Sequence, residues 1–328
     1  MALPDFFIIG APKAGTTALH AALAAHPGLF MAAVKEPKFF LTDGPPPTRG
    51  GGPGDAQTYR EHIWRRPDYE ALFDDAPPGT LRGESTPFYL YNRDAQRRIR
   101  ALIPDARLIV ILRDPVERAH SNWAHLWSAG LDPVDDFVLA CAEEQRRIEA
   151  GWADFWHYTA LGRYGEQLEH LYTVLPRDRV LVFRYRALVE SPALILDRIC
   201  AFLGVPTGIL TELPRENVTA HPQLSLRHRT VAKALRASSA VSNVLPGAAT
   251  VTGSLERILQ RDSRPRQPLT WEQRQALLPR FEADIRLLEI ITGEDFSNWL
   301  QPRGDSGGLV GARPAGQRQA RNGQPREF

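Results

Sequence analysis

Phe6-Phe7-Ile8-Ile9-Gly10-Ala11-Pro12-Lys13-Ala14-Gly15-Thr16-Thr17 is the stretch that decides the fold. Phe6–Gly10 is an apolar run of strand length. Thr16 to Ala25 is rich in Ala and Leu and ends at His26-Pro27, where the residue before proline resists the α conformation. A glycine-bearing turn between a buried strand and a helix start exposes backbone N–H groups to an anion. Lys13 adds charge there, and Thr16 and Thr17 add hydroxyl donors. Gly10 and Gly15 have the spacing of the nucleotide triphosphatase motif G-x-x-x-x-G-K-[ST], but the lysine lies inside the loop instead of after the second glycine, which disfavours ATP or GTP hydrolysis.

Two further apolar runs, Leu108–Leu112 and Val180–Phe183, are each followed within reach by a helical pattern, the rhythm of an α/β fold with a central parallel sheet flanked by helices. After the second run, Asp114 can cap a helix, Pro115 suits its first position, and Glu117 sits where a capping-box carboxylate reaches back. The apolar face of that helix runs Val116, Ala119, Trp123, Trp127. Ser191-Pro192 opens another helix with Leu194, Ile195, Ile199, Phe202 and Leu203 inward, and Thr270 with Gln273 opens one through Phe281, Ile285 and Leu288. Residues 1–300 are expected to be one domain. Residues 43–55 hold five Gly and four Pro and are expected to form a flexible loop near the active-site face, while the Gly/Arg/Gln/Pro-rich 301–328 is expected to be a disordered tail.

Composition narrows the function. A chain of 328 residues, 43% hydrophobic, can bury a large core, and 40 Lys plus Arg against 38 Asp plus Glu gives no general polyanion-binding surface, so no nucleic-acid partner is expected. Any anion site must be local. Cys141 and Cys200 sit in apolar helical patterns with no metal or redox spacing, and the nine histidines show no H-E-x-x-H, so no metal is expected. Met1 to Phe6 lacks a leader pattern and no window has the ~20 apolar residues of a membrane span, which gives a cytoplasmic expectation. Arg113 stands at the carboxyl end of its strand, the edge where open α/β sheets bind ligands, and Ser121 lies eight residues on. A planar guanidinium fork and a serine hydroxyl together suit a second phosphate that the first loop does not reach.

In these segments the chain resembles the PAPS-dependent sulfotransferase superfamily, closest to its heparan-sulfate-type and related bacterial branches; PAPS is 3′-phosphoadenosine 5′-phosphosulfate. The resemblance implies a P-loop-like domain. Pro12-Lys13-Ala14-Gly15-Thr16-Thr17 looks like the family's 5′-phosphosulfate loop, and Arg113 through Ala119 with Ser121 looks like its 3′-phosphate segment. Arg227 and Arg229 loosely resemble a basic stretch that also approaches the 3′-phosphate.

Lys35-Glu36-Pro37-Lys38-Phe39-Phe40 resembles the segment that carries the general base, which implies Glu36 for that role with Lys35 or Lys38 contacting sulfate; Lys38 stands where many relatives have histidine. Lys13 is the other group implied at the transferring sulfate. Gly83-Glu84-Ser85-Thr86-Pro87-Phe88-Tyr89 is a further matching block, with Ser85 where heparan-type relatives often carry lysine and with Glu84 and Tyr89 placed on the acceptor side. Gly162-Arg163-Tyr164 completes the ordered set.

His62, His120 and His125 occupy positions open to an alternative base, although the tryptophan-rich helix carrying the last two reads as packing. The expected reaction moves a sulfuryl group from PAPS to a hydroxyl on a small metabolite, glycolipid or sugar-bearing natural product. Two alternatives stay open: a P-loop-type kinase, which requires Mg²⁺-dependent ATP affinity, and a non-catalytic adenine-nucleotide-binding protein, which binds without turnover.

Overall fold

The computed structural model describes residues 2–214, 265 and 267–301. Five strands, β1 (Phe6–Gly10), β2 (Leu29–Met31), β3 (Leu81–Ser85), β4 (Arg107–Leu112) and β5 (Val180–Arg184), form one parallel sheet in the order β2-β3-β1-β4-β5. Phe6 to Ile9 of β1 and Leu108 to Leu112 of β4 are fully buried, as expected for central strands covered on both faces. The three apolar runs are thus strands. The other two were not legible: β2 spans three residues, and Leu81-Arg82-Gly83-Glu84-Ser85 carries charges in place of an apolar run. Arg82 instead makes an ion pair with Asp5, Nε to Oδ2 3.0 Å, beside β1.

The helices are α1 (Thr16–Leu23), α2 (Asp55–Arg60), α3 (Arg66–Glu70), α4 (Arg93–Leu102), α5 (Pro115–Ser128), α6 (Phe137–Ala142), α7 (Glu144–Glu149), α8 (Tyr164–Val174), α9 (Tyr185–Glu190) and α10 (Pro192–Leu203), followed by Trp271–Leu277, Glu282–Thr292 and Ser297–Leu300. Asp114 caps α5 as expected, accepting from the Val116 and Glu117 amides at 3.0 and 3.1 Å. The Glu117 carboxylate, expected to reach back to the cap, stands 3.4 Å from Arg113 Nε.

In α10 the buried stripe is Ile195, Ile199 and Leu203. Leu194, expected to face inward, lies off that i, i+4 line and is 62% exposed. Thr270 and Gln273 form the capping box, but the helix ends at Leu277, because Pro279 cannot supply a main-chain donor and a 3-10 turn intervenes before Glu282–Thr292 buries Ile285 and Leu288.

Two buried carboxylates fasten distant segments to this frame. Asp114, besides capping α5, receives Arg274 at both oxygens, 3.0 and 2.7 Å, and Arg274 also donates to the Trp299 carbonyl at 2.6 Å. Asp284 accepts from the Gly165 and Glu166 amides at 2.9 Å each, satisfying the first turn of α8 from the far end of the chain. The Gly/Pro stretch before α2 is turns and bends, tethered at its end. Asp55 is buried and accepts from the Gly52 amide at 2.7 Å, the Ala153 amide at 3.1 Å and Trp156 Nε1 at 2.9 Å. Gly51 and Gly52 lie so close to Trp152 that a Cβ on either would meet its ring at 2.5 to 2.6 Å. Small residues are needed there for contact as much as for flexibility. Among the described residues, no helix is long and apolar enough to cross a membrane.

The Asp114–Arg274 pair gives a direct test. Replacing Asp114 with Ala leaves a buried guanidinium without its partner and α5 without its cap, so unfolding free energy should fall by about 3–5 kcal/mol. Urea denaturation reads this as a lower midpoint at unchanged slope; a loss under about 1 kcal/mol would show that the pair does not hold the late segment.

Candidate functional site

The strand order sets the place. From β1 the chain crosses to β2 on one side of the sheet, and from β4 to β5 on the other, so a crevice opens beyond the carboxyl ends of β1 and β4, where such sheets take ligands. The loop after β1 lines one side. Lys13 has φ 66° and Gly15 φ 87°, and Gly15 sits at the N-cap of α1, where a glycine has no side chain to cap the amides of the first turn. A Cβ at Gly15 would meet the Tyr185 ring at 2.7 Å, so the loop is pressed between helix start and α9. Thr16 is buried and Thr17 half-buried at the helix entrance. Ala14, expected at the nucleotide, is buried in the loop and donates its amide to the Ala11 carbonyl at 3.2 Å.

Arg113 lines the other side and is joined to the first loop: its Nη1 donates to the Lys13 carbonyl at 3.3 Å, and its guanidinium lies 5.3 Å from the Tyr185 ring centre. Tyr164 Oη donates to the Arg113 carbonyl at 2.9 Å and fixes the backbone there. Beyond Arg113 is a cavity of about 450 Å³ whose lining includes Ser121, His120, Thr270, Trp271 and Arg274. The two expected phosphate anchors, Arg113 and Ser121, therefore share one cavity. Arg227 and Arg229 lie outside the described residues.

Glu36 stands beside these arms. Its amide donates to the Ser85 carbonyl at 2.9 Å at the end of β3, and Glu36 and Lys38 both adopt positive φ, 60° and 62°. Such conformations cost about 1–2 kcal/mol in a non-glycine residue and are tolerated where the surroundings fix them. The Glu36 carboxylate, 28% exposed, binds Lys35 Nζ at 2.6 Å. Burial pushes its carboxyl up, but Lys35 through charge and hydrogen bond, then Lys38 and Lys13, outweigh this and hold it below the ordinary value. Lys38 itself is buried and pairs with Glu61 at 3.0 Å.

Glu84 and Tyr89, expected to line the acceptor side, are fully buried beneath the site. Glu84 accepts from Tyr69 Oη and Thr86 Oγ1, both at 2.9 Å, while Tyr89 Oη accepts from the Phe40 amide at 3.3 Å. Together they hold up the segment that carries Glu36. Burial raises Glu84 to about 7, against hydrogen bonds from Thr86, Tyr69 and Tyr89 that pull it down.

Sequence reasoning missed His20, whose Nδ1 is 2.9 Å from Ser85 Oγ; burial and then the Lys35 charge lower it to about 4. It also missed Tyr185, Thr270, Trp271 and Arg274 as site walls. A lone histidine late in an Ala/Leu helix carries no signal, and the last three lie over 100 residues from Arg113, beyond any periodicity. Among the described residues, no group of three or more His, Cys, Asp or Glu side chains is placed to hold a metal.

The sulfotransferase family model matches residues 51–208. Human heparan sulfate glucosamine 3-O-sulfotransferase 6 is 31% identical over 202 residues, covering 62% of this chain and 52% of the relative. Mouse heparan sulfate glucosamine 3-O-sulfotransferase 3B1 is 33% identical over 208 residues, 62% of this chain and 46% of the relative. The chain therefore spans about half the length of these relatives. The crystal structure of a sulfotransferase from Alicyclobacillus acidocaldarius is 26% identical, with a TM-score of 0.71 over 92% of this chain and 100% of that one.

The Glu84 network predicts a pH effect on stability. Between about pH 4.5 and 7 the unfolded chain has released the Glu84 proton while the folded chain keeps it, so this group's contribution falls as pH rises. Replacing Glu84 with Gln should remove that slope. From pH 4.5 to 7 the wild type should lose up to about 3 kcal/mol relative to the variant in denaturant titrations, and parallel pH profiles would disprove the assignment.

Proposed function

Because the chain belongs to the PAPS-dependent sulfotransferase superfamily, we propose that it transfers the sulfuryl group of PAPS to a hydroxyl of a sugar-bearing or other small acceptor. The observation that carries this reading is convergence. Glu36 lies close enough to Lys13 for the ammonium to lower its pKa, and the Lys13 loop is bonded on its other side to Arg113, so base, phosphate loop and second phosphate arm meet at one crevice.

The donor set fits the nucleotide. The open amides of α1, with Lys13, Thr16 and Thr17, would receive the 5′-phosphosulfate, and Arg113 with Ser121 the 3′-phosphate across the cavity. Glu36 would accept the proton of the acceptor hydroxyl as its oxygen bonds to sulfur and the sulfur–oxygen bond to the 5′-phosphate breaks; the electron pair leaves with that phosphate and the proton passes to solvent. Lys13 would stabilise the charge growing on the leaving oxygen. Lys35 favours the ionised form of Glu36, the form able to accept a proton. Lys38, held by Glu61, would act on Glu36 through its field.

Two relatives are named for heparan sulfate glucosamine, so an amino-sugar oligosaccharide belongs in the acceptor panel beside small hydroxyl compounds.

Replacing Glu36 with Gln should lower kcat by about 10²–10⁴-fold while leaving affinity for 3′-phosphoadenosine 5′-phosphate (PAP) within a few-fold; turnover at the wild-type rate would remove Glu36 from the chemistry. Calorimetry with PAP, AMP, ADP and ATP tests the donor site. PAP should bind best, and Arg113→Ala should abolish the preference. An ATP preference that needs Mg²⁺ would overturn the reading in favour of a kinase.

A further inference from the structure

The cavity beyond Arg113 contains a residue that the proposed reaction does not use. His120 precedes Ser121 on α5 and lines the same cavity, about nine-tenths buried, with its ring 5.1 Å from Phe137 and 5.6 Å from Trp123 between centroids. Packing alone would be served by phenylalanine. His120 Nε2 instead has no hydrogen-bond partner among the described residues, and a desolvated ring nitrogen without a partner costs stability unless something else fills that role.

We propose that His120 is a third anchor for the anion that Arg113 and Ser121 receive, a phosphate monoester such as the 3′-phosphate of PAP, and that it takes up a proton as that anion binds. This rests on the PAPS reading and adds a residue and a proton to it.

The surroundings set the direction. Arg113 faces His120 from the turn after β4, Glu117 stands one turn earlier on α5, and Arg274 comes from the helix Trp271–Leu277 with its charge matched by Asp114. The α6 side presents the apolar Phe137. Burial and then the Arg113 charge lower His120 to about 4, so the imidazole is neutral in the ligand-free protein at neutral pH. A phosphate dianion in the cavity offsets Arg113 and favours imidazolium. The folded protein then binds more protons with ligand than without it, and this group's contribution makes affinity rise as pH falls from 7 towards 5. The ligand's own second ionisation, near pH ~6, acts in every variant alike. Comparison between variants therefore isolates the histidine.

The experiment is calorimetry of PAP binding to the full chain at pH 6, in two buffers of different ionisation enthalpy, for wild type, His120→Gln and His120→Phe. AMP serves as the ligand without a 3′-phosphate, and circular dichroism melts check folding. Wild type should take up more protons than either variant, a difference on the order of half a proton, with no such difference for AMP. The Gln variant should keep most of the affinity at neutral pH, since it still offers a donor, and the Phe variant should lose about tenfold. Equal proton uptake by folded wild type and variants would make His120 a packing residue and overturn the inference while leaving the donor site intact. Failure of wild type to bind PAP at all would overturn the functional reading and the inference with it.

Discussion

One carboxylate, Asp114, fixes the order of events around the crevice. It closes the first turn of α5, which sets the direction in which Arg113 leaves β4 and the face on which His120 and Ser121 stand. The capping oxygen Oδ1 and its neighbour Oδ2 receive the two terminal nitrogens of Arg274 and so bring Thr270 and Trp271 against that face. A buried ion pair is weak evidence for net stability, since both ions must leave water, but it specifies one geometry. Here that geometry is a cavity with one wall from the middle of the chain and one from its later part.

The opposite side of the crevice is governed by backbone conformation. Lys13, Glu36 and Lys38 all sit in the left-handed region, two of them in the segment held against the end of β3 by the Ser85 carbonyl and Thr86 hydroxyl. Beneath them Glu84, Tyr69, Thr86 and Tyr89 form a buried polar base in place of an apolar one. The arrangement brings the charges of Lys13, Lys35 and Lys38 within electrostatic reach of the Glu36 carboxylate, with Lys35 bonded to Glu36 and Lys38 to Glu61.

Local signals carried much of this in the sequence. The β1 loop, the Asp114-Pro115 helix start and the Thr270–Gln273 capping box are defined by neighbours within a few residues, and each stands where its pattern put it. Tertiary burial decides where local patterns do not: Glu84, which the resemblance places on the acceptor side, is part of a strand with no access to solvent, and Leu194 reads as core but lies outside its helix's buried stripe. His120 reads as packing on a tryptophan-rich helix, and its ring does lie beside Trp123 and Phe137, but the other wall of its cavity comes from Thr270 and Trp271, far along the chain.

The Asp114–Arg274 pair joins residues 160 apart in the chain. At synthesis rates of about 5–20 residues per second, on the order of 10–30 s pass between the appearance of one partner and of the other. During that interval the five strands can assemble, since all precede residue 185, and the Lys13 loop and Arg113 can meet. The cavity meanwhile lacks its Thr270–Trp271 wall, and the Asp114 carboxylate waits with only its capping bonds. A nascent chain therefore acquires the loop after β1 and its contact with Arg113 before it acquires the Thr270–Trp271 wall, so the crevice is completed from the β1 side outward.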